Sequence, residues 1–483
     1  MEKTFCQEFT GSLVFLGFGA VAECTLPLLL KHIQFDVKKM VIIDKIRSET
    51  IDKYESIGAC FQCLDINEDN VFSFLKTYLK AGDLLVDLAY SIDCCTLLQW
   101  CHTQKVLYIN TSVELWDPYK DKNRKSPREL TLYPRHMAIK GLKAKWRAEG
   151  PTMVVEHGAN PGLVSHFTKR ALTDIARTIL QNNIEDPRKN EIELFLLEKR
   201  YPELARLLEI KVIHISEKDG QRSRDSHRTD EFVNTWSVEG FYEEGIAPAE
   251  IGWGTHEKEL PKNSFSYDYG PKNQIGLKQM GIETWAFSRV SSGSIIGMIV
   301  RHGESFTISD YLTAWKNNDP IEGVEYRPTV HYVYRPTKET LDSLEELKKN
   351  GSQMPEKKCI MRNEIVTGSD EVGVLLMGHD FKSWWTGSVL SIEEARLLVP
   401  NQNATTLQVA ASVLAAIVWM MRNPNRGLLV PDELPHAEIL GLAMPYLGDF
   451  VSKAIDWSPL DDNTSLLCDR NDPWQFKNFR FFG

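Results

Sequence analysis

The sequence predicts an α/β protein with an N-terminal parallel sheet and a second, α+β domain. Three observations carry that expectation. A short apolar run, Leu13-Val14-Phe15-Leu16, stops at Gly17-Phe18-Gly19-Ala20-Val21-Ala22 and passes into a helical pattern. A second buried-type strand follows at 39–44 and closes on Asp44. Strand and helix signals then alternate to about residue 157, and from about 165 to 395 they give way to mixed strands, long loops and many aromatics. Alternation of this kind reads as βαβ units on a parallel sheet, and the later texture as a mainly antiparallel sheet with added helices.

The glycine stretch fits G-x-G-x-x-G/A, with Ala22 in the third place, so the first domain is Rossmann-like. Gly17 can take a backbone angle that a Cβ forbids. Gly19 has no side chain, so a pyrophosphate can approach the backbone. The new helix points unpaired N–H groups and its positive end at that phosphate. Asp44 stands 22 residues after Ala22, where a carboxylate binds the ribose 2′-OH of NAD and repels the 2′-phosphate of NADP. NAD is therefore the expected cofactor, contacted by Gly17, Gly19, Ala20, Val21 and Asp44. Pro27 lies inside the expected helix. An interior proline costs about 3 kcal/mol, so the helix should bend or end early.

The remaining elements of the first domain follow in order. A strand at 58–65 ends in Asp65, a place that meets adenine in NAD-binding folds. An amphipathic helix covers 71–80. Strands at 83–88 and 106–112 come next. Ligands of open parallel sheets lie outside the carboxyl ends of strands, so Leu88 to Ser91 and Thr111 to Glu114 should border the nicotinamide. The polar segment 117–129 reads as an exposed loop. A strand at 152–156 leads into His157-Gly158-Ala159-Asn160-Pro161-Gly162-Leu163-Val164-Ser165, a shaped loop and helix entrance. This places the NAD-binding domain at 1–157 and the second domain at 158–402 and 423–483. In the second domain, 221–230 reads as a loop or hairpin tip and 337–350 as a charged helix. The apolar helix at 407–421, or more broadly 403–422, must be covered on every side, and a return to the first domain would cover it.

Composition narrows the classes. The chain has 483 residues, a net charge of −10 and no basic stripe, which argues against nucleic acid as a partner. Nine cysteines in a long chain with no apolar signal core at the start point to a reducing, cytoplasmic setting. The 15 residues of 407–421 are too few to span a bilayer, so no membrane is expected. Cys60-x-x-Cys63 has no second pair at zinc spacing, and no P-loop, HExxH or GxSxG occurs. No metal is implied.

Two constellations could carry chemistry. Tryptophan, acids, glycine and histidine crowd into Trp236 to Gly245 and Pro248 to Glu257. Indole faces and carboxylates together suit an amine cation. An aromatic core edge with solvated acids would read the same way. The second is Arg301-His302-Gly303-Glu304-Ser305, after the apolar run 295–300. His302 and Glu304, two apart on a strand, would face one side and could form an acid/base pair. A surface ion pair is the alternative. The strand Lys211 to Glu217, ending in an acid, is ambiguous alone.

Taken together, GFGAVA, EHGANPGLVSH, TWSVEGFYEEG, PAEIGWGTHE, RHGES and PDELPHAEIL resemble the bacterial homospermidine synthases. The resemblance runs from about residue 11 to the C-terminus. It implies a saccharopine dehydrogenase-like fold, a Rossmann domain plus a substrate and dimerisation domain, in a cytoplasmic homodimer. It also implies a reaction in which bound NAD takes a hydride from putrescine and an imine loses ammonia. A second putrescine then condenses, and the same NADH returns the hydride to give homospermidine. Spermidine is a further donor to consider.

Carried over residue by residue, Trp236 is a cation–π wall and Glu244 an ammonium anchor. Glu217 and Glu114 are further pocket acids. Asn160, with Pro161 beside it, holds the reacting amine next to the nicotinamide. Glu304 and His302 hydrogen-bond the reacting nitrogen and move protons, with the base of the two left open. Two other readings compete. A saccharopine-type NAD-dependent amine or amino-acid dehydrogenase would produce net NADH and would need pocket arginines for a carboxylate. A non-enzymatic NAD-binding protein would leave the downstream blocks without a purpose.

Overall fold

A computed structural model describes residues 6–117, 126–147, 149–225, 229–351 and 353–482. Most of the polar segment 117–129 and the tip of 221–230 lie outside the described residues.

The N-terminal sheet has seven strands in the order Leu428–Leu429, Met153–Val154, Leu107–Asn110, Leu84–Asp87, Leu13–Leu16, Met40–Asp44 and Cys60–Cys63, all parallel. Its central strands are apolar on both faces because both faces are covered. Phe15, Ile42, Val86 and Ile109 point to one core. Val14, Ile43, Leu85 and Tyr108 point to the other. Leu13–Leu16 has the next strand in sequence on one side and Leu84–Asp87 on the other. Strand order therefore reverses at Gly17, which opens a crevice at the carboxyl ends.

Two expectations need correction here. Of the bend or early end expected at Pro27, the early end does not occur: the helix Ala20–His32 runs through that residue. It packs along the apolar helix Ala404–Arg422, and Leu26, Leu28 and Leu29 are fully buried. That burial, roughly 1.5–3 kcal/mol for each large side chain, outweighs one lost hydrogen bond. The strand Leu428–Leu429, placed by sequence in the second domain, pairs in parallel with Met153–Val154 on the first sheet. A two-residue strand leaves too little pattern to read.

The second sheet has eleven strands. Its spine runs Ser264–Ser266, Gln274–Met280, Pro248–Gly252, Thr329–Arg335, Val212–Asp219, Ser369–Met377, Ser383–Ser391 and Asp449–Ile455. Thr329–Arg335 and Val212–Asp219 pair in parallel, and their neighbours along the spine are antiparallel. The helix Leu163–Asn182 packs across Ser369–Met377 and Ser383–Ser391.

The helix Ala404–Arg422 joins the two halves. It touches the helix Ala20–His32 and the strand Leu107–Asn110 on one side, and Ser369–Met377 and Ser383–Ser391 on the other. With 19 residues it is long and apolar enough to cross a membrane, so length alone does not settle its role as the 15-residue run suggested. Its environment does: 89% of its most apolar stretch is buried inside the protein, which makes it a core helix.

Candidate functional site

The crevice at Gly17 has the shape a dinucleotide needs. Gly17 has φ +86°, and a Cβ there would lie 2.7 Å from the Ala89 backbone, so only glycine fits. A Cβ on Gly19 would meet no atom within 4 Å, which leaves open space over the helix start. That helix has no side-chain cap, so its first N–H groups face the crevice. Asp44 accepts the Phe18 N–H through Oδ2 at 2.6 Å and the Ile46 N–H through Oδ1 at 2.9 Å. It thus pins the glycine turn as well as closing its strand. Asp65 is exposed just beyond the edge strand.

A cavity of about 190 Å³ lies beside this crevice; Gly17, Gly19, Ala20 and Asp44 do not line it, but Ala89, which packs against Gly17, does. Val21, Leu88, Thr111, Asn160 and Pro161 form its cofactor-side wall. Ser91 does not line it, and Ala89 and Tyr90 stand there instead. The reason is local: Ser91 has φ +62°, and the chain turns away there toward the helix Cys94–Gln104, capped by Asp93.

The far wall is acidic. Glu114, Glu217, Trp236, Glu244 and His302 line it, so the four expected substrate-binding residues converge with one of the expected proton-transfer pair. Trp236 precedes the helix Val238–Ile246, whose Ser237 cap accepts the Gly240 N–H. A Cβ on Gly240 would press to 3.2 Å on the indole. Glu217 lies on the central strand Val212–Asp219 and accepts hydrogen bonds from Asn160 Nδ2 and the Tyr332 hydroxyl, both at 2.6 Å. Glu244 Oε2 stands 3.1 Å from His302 Nε2.

Glu304 is placed differently from expectation. It is fully buried and does not line the cavity. Both its oxygens lie 3.2 Å from His302 Nδ1, on the side away from Glu244. The strand reading of RHGES also fails: the strand is Gly293–Met298, and Gly303–Tyr311 is a helix with His302 as its extended N-cap. The pair meets across a helix start rather than along a strand face. The PAEIGWGTHE block divides as well. Glu250 accepts the Leu132 N–H at 2.6 Å. Trp253, His256 and Glu257 pack on the C-terminal segment through Phe476 and Trp474.

Charge pairing sorts the acids. Burial pushes Glu243 up, but the guanidinium groups of Arg301 and Arg135 outweigh it and hold that carboxyl low. Burial would push His302 down, yet Glu244 and Glu304 on its two nitrogens drive it well above the usual imidazole range. What remains is Glu114, Glu156 and Glu217. Burial pushes each up, Glu114 and Glu217 to about 7 and Glu156 to about 8. Glu243 repels Glu114, Glu304 repels Glu156 and Asp219 repels Glu217. These three carboxyls line one cavity without a cationic side chain of their own, and a bound organic cation would supply that charge.

Glu156, Arg135, Glu243 and Tyr332 escape the sequence reading. Arg135 comes from the helix Tyr133–Lys145, which carries no motif. Glu156 ends the strand read at 152–156, but its backbone is left-handed, φ +57°, which is strained for any residue with a Cβ. Asn110 holds it there, accepting the Glu156 N–H at its side-chain oxygen (2.8 Å) and the His157 N–H at its carbonyl (2.9 Å). Among the described residues no group of three or more His, Cys, Asp or Glu is arranged to hold a metal.

Comparison with known proteins bears on this arrangement. Residues 13–154 match the saccharopine dehydrogenase NADP binding domain, and residues 158–455 the saccharopine dehydrogenase C-terminal domain. Homospermidine synthase from Mesorhizobium japonicum is 38% identical over 480 residues, 98% of this chain and 96% of that protein. Homospermidine synthase from Blastochloris viridis is 38% identical over 98% of both chains. The crystal structure of the Legionella pneumophila homospermidine synthase in complex with NAD superposes with a TM-score of 0.86 at 36% identity, covering 100% of this chain and 99% of that one. With relatives of that identity along essentially its whole length, the chain belongs to the homospermidine synthase family.

Proposed function

We propose that the protein is an NAD-dependent aminobutyl transferase that makes homospermidine and ammonia from two molecules of putrescine. The observation that carries this reading is the juxtaposition of three carboxyls without a cationic partner of their own and an indole on a cavity that reaches Val21, Leu88 and Ala89 beside the Gly17 turn. A diamine brings the two positive charges that such a wall lacks. An amino-acid dehydrogenase would need a guanidinium available for a carboxylate. Arg135 and Arg301 both face the cavity, but both are committed to Glu243.

The residues divide the work. Gly17, Gly19 and the start of the helix Ala20–His32 would hold the pyrophosphate of NAD, and Asp44 the ribose. NAD, when bound, supplies a hydride acceptor that can return what it takes. Trp236 and Glu244 anchor the distal ammonium. Asn160, itself fixed by Glu217, orients the reacting amine against the cofactor-side wall. Glu244 and Glu304 flank His302 and drive it well above the usual imidazole range, so His302 acts as a fixed cationic bridge that aligns Glu244. Glu304 positions His302 from behind. The reaction belongs in the cytoplasm of a cell that keeps thiols reduced, in agreement with nine free cysteines, and in a homodimer.

The test is product analysis with putrescine and a catalytic amount of NAD. Homospermidine and ammonia should form in equal amounts while NADH stays at trace level. NADH accumulating in step with substrate loss, without homospermidine, defeats the reading and favours the dehydrogenase.

A further inference from the structure

Turnover of two diammonium ions needs two protons removed and two returned. Each reacting nitrogen must lose a proton to expose its lone pair. The departing ammonia and the new secondary amine then each take one back. Three of the residues named so far, His302, Glu243 and Glu217, do not serve this exchange. His302 is clasped by carboxylates on both nitrogens, so it has no lone pair to offer. Glu243 is locked between two guanidinium groups, and Glu217 already receives two hydrogen bonds on one oxygen.

We propose that Glu156 is the acid/base group of the site, taking a proton from the reacting ammonium and delivering it to the departing ammonia or the product amine. This role rests on the aminobutyl-transfer reading above. In the forward step an O–H bond forms on Glu156, the ammonium N–H bond breaks, and the electron pair stays on nitrogen. In the return step the O–H bond breaks and the proton binds the lone pair of the departing ammonia or of the new amine. The two-electron oxidation and reduction stay with NAD.

The geometry is specific. Glu156 lines the cavity yet is 2% exposed, and its Oε2 has no hydrogen-bond partner. It extends from the carboxyl end of a strand of the cofactor sheet, four residues before Asn160. The left-handed backbone and the Asn110 clamp hold it there. Gly303 makes room for it, since a Cβ at that position would lie 2.3 Å from both its carboxylate oxygens.

The groups that face it set its titration. His136 Nε2 stands 3.4 Å away without an aligned hydrogen bond, and burial keeps that imidazole neutral by pushing it down to about 3. Burial raises Glu156, Glu304 and Glu250 add to this, and His302 and Arg135 oppose it. The result, about 8, lies where a group can both take and give a proton near neutrality.

The experiment compares wild type, Glu156→Gln and Glu156→Asp as NAD-loaded full chains. Homospermidine formation is followed against pH, and NAD and putrescine binding are measured separately. In wild type, turnover should rise with pH as Glu156 ionises. Glu156→Gln should bind NAD within about threefold of wild type, lose on the order of 100-fold or more in turnover at saturating putrescine, and lose that rise. Glu156→Asp should keep a rise, displaced in pH. Glu156→Gln with more than a third of wild-type turnover, or with the same rise, overturns the assignment. If Glu156→Gln does not fold, an unmoved rise in Glu156→Asp overturns it instead. A wild type that makes no homospermidine defeats the transferase reading itself, a result distinct from an active Glu156→Gln.

Discussion

Binding of a diamine should expel protons from the site, and the number can be worked out beforehand. Glu217 is 2% exposed and its carboxyl is pushed up to about 7 by burial. At pH 7 it therefore holds roughly half a proton, and Glu114, also at about 7, holds roughly another half. For Glu217 the distance from an ordinary 4.5 corresponds to roughly 3 kcal/mol of penalty on the charged form. An ammonium beside it removes much of that penalty, returns the carboxyl toward its ordinary range and drives the proton out. A putrescine dication should thus release about one proton at pH 7 from these two groups, and fewer at about pH 8.5, where both are already ionised. The assay is calorimetric titration of the NADH-loaded protein, which has no hydride acceptor, in two buffers of different ionisation heat. Glu217→Gln should lower the release by about half a proton. No release at pH 7 would mean that the free site already holds charged carboxylates, and the argument from burial would be wrong.

Three further outcomes follow from the same structure. Glu114, Glu156 and Glu217 keep protons in the folded state that the unfolded chain gives up near pH 4.5. The ligand-free protein should therefore lose stability as pH rises through 7 to 8, read as a falling melting temperature that putrescine restores. A stability that climbs across that interval would contradict the sign. Gly303→Ala should lower the melting temperature by several degrees, consistent with about 1–3 kcal/mol of overpacking. It should also cut turnover at least tenfold, because the new methyl meets the Glu156 carboxylate; a variant as active as wild type would show that carboxylate free to move. Asp44→Ser removes the acceptor of the Phe18 N–H and the ribose partner. NAD affinity should fall about tenfold, some 1.4 kcal/mol, while NADP affinity rises, as measured by fluorescence titration. An unchanged NAD/NADP ratio would take Asp44 out of cofactor choice.

The cofactor half was legible in the sequence because its chemistry is local. Gly17, Gly19 and Asp44 act through backbone angles and strand ends that a short motif encodes. Trp236 and Glu244 were legible as residue types through one long resembling block, and Glu217 as the acid that ends a strand, but their convergence depends on a sheet that pairs Val212 with Thr329 and with Met377. Glu156 was passed over because nothing in its own identity announces a left-handed backbone; Asn110, 46 residues earlier, imposes it. The RHGES pair shows the opposite error. His302 and Glu304 do meet, but the helix start at Gly303 sets them there and turns Glu304 away from the cavity. Arg135 and Arg301 are common surface residues by type. Only the fold shows that both pair with Glu243, so that Glu114, Glu156 and Glu217 have no guanidinium partner of their own.

The helix Ala404–Arg422 has a mechanical consequence. The chain leaves the nucleotide lobe near residue 157, builds the second sheet, and comes back to lie along the helix that begins at Gly19. Thr405 and Val409 on this returning helix also line the cavity. A jaw-like hinge at residue 157 would have to peel apart two apolar helices and drag part of the cavity wall with them. That packing opposes a hinge opening between the two sheets. Such a scaffold suits a dinucleotide that remains in place for many turnovers while small amines come and go.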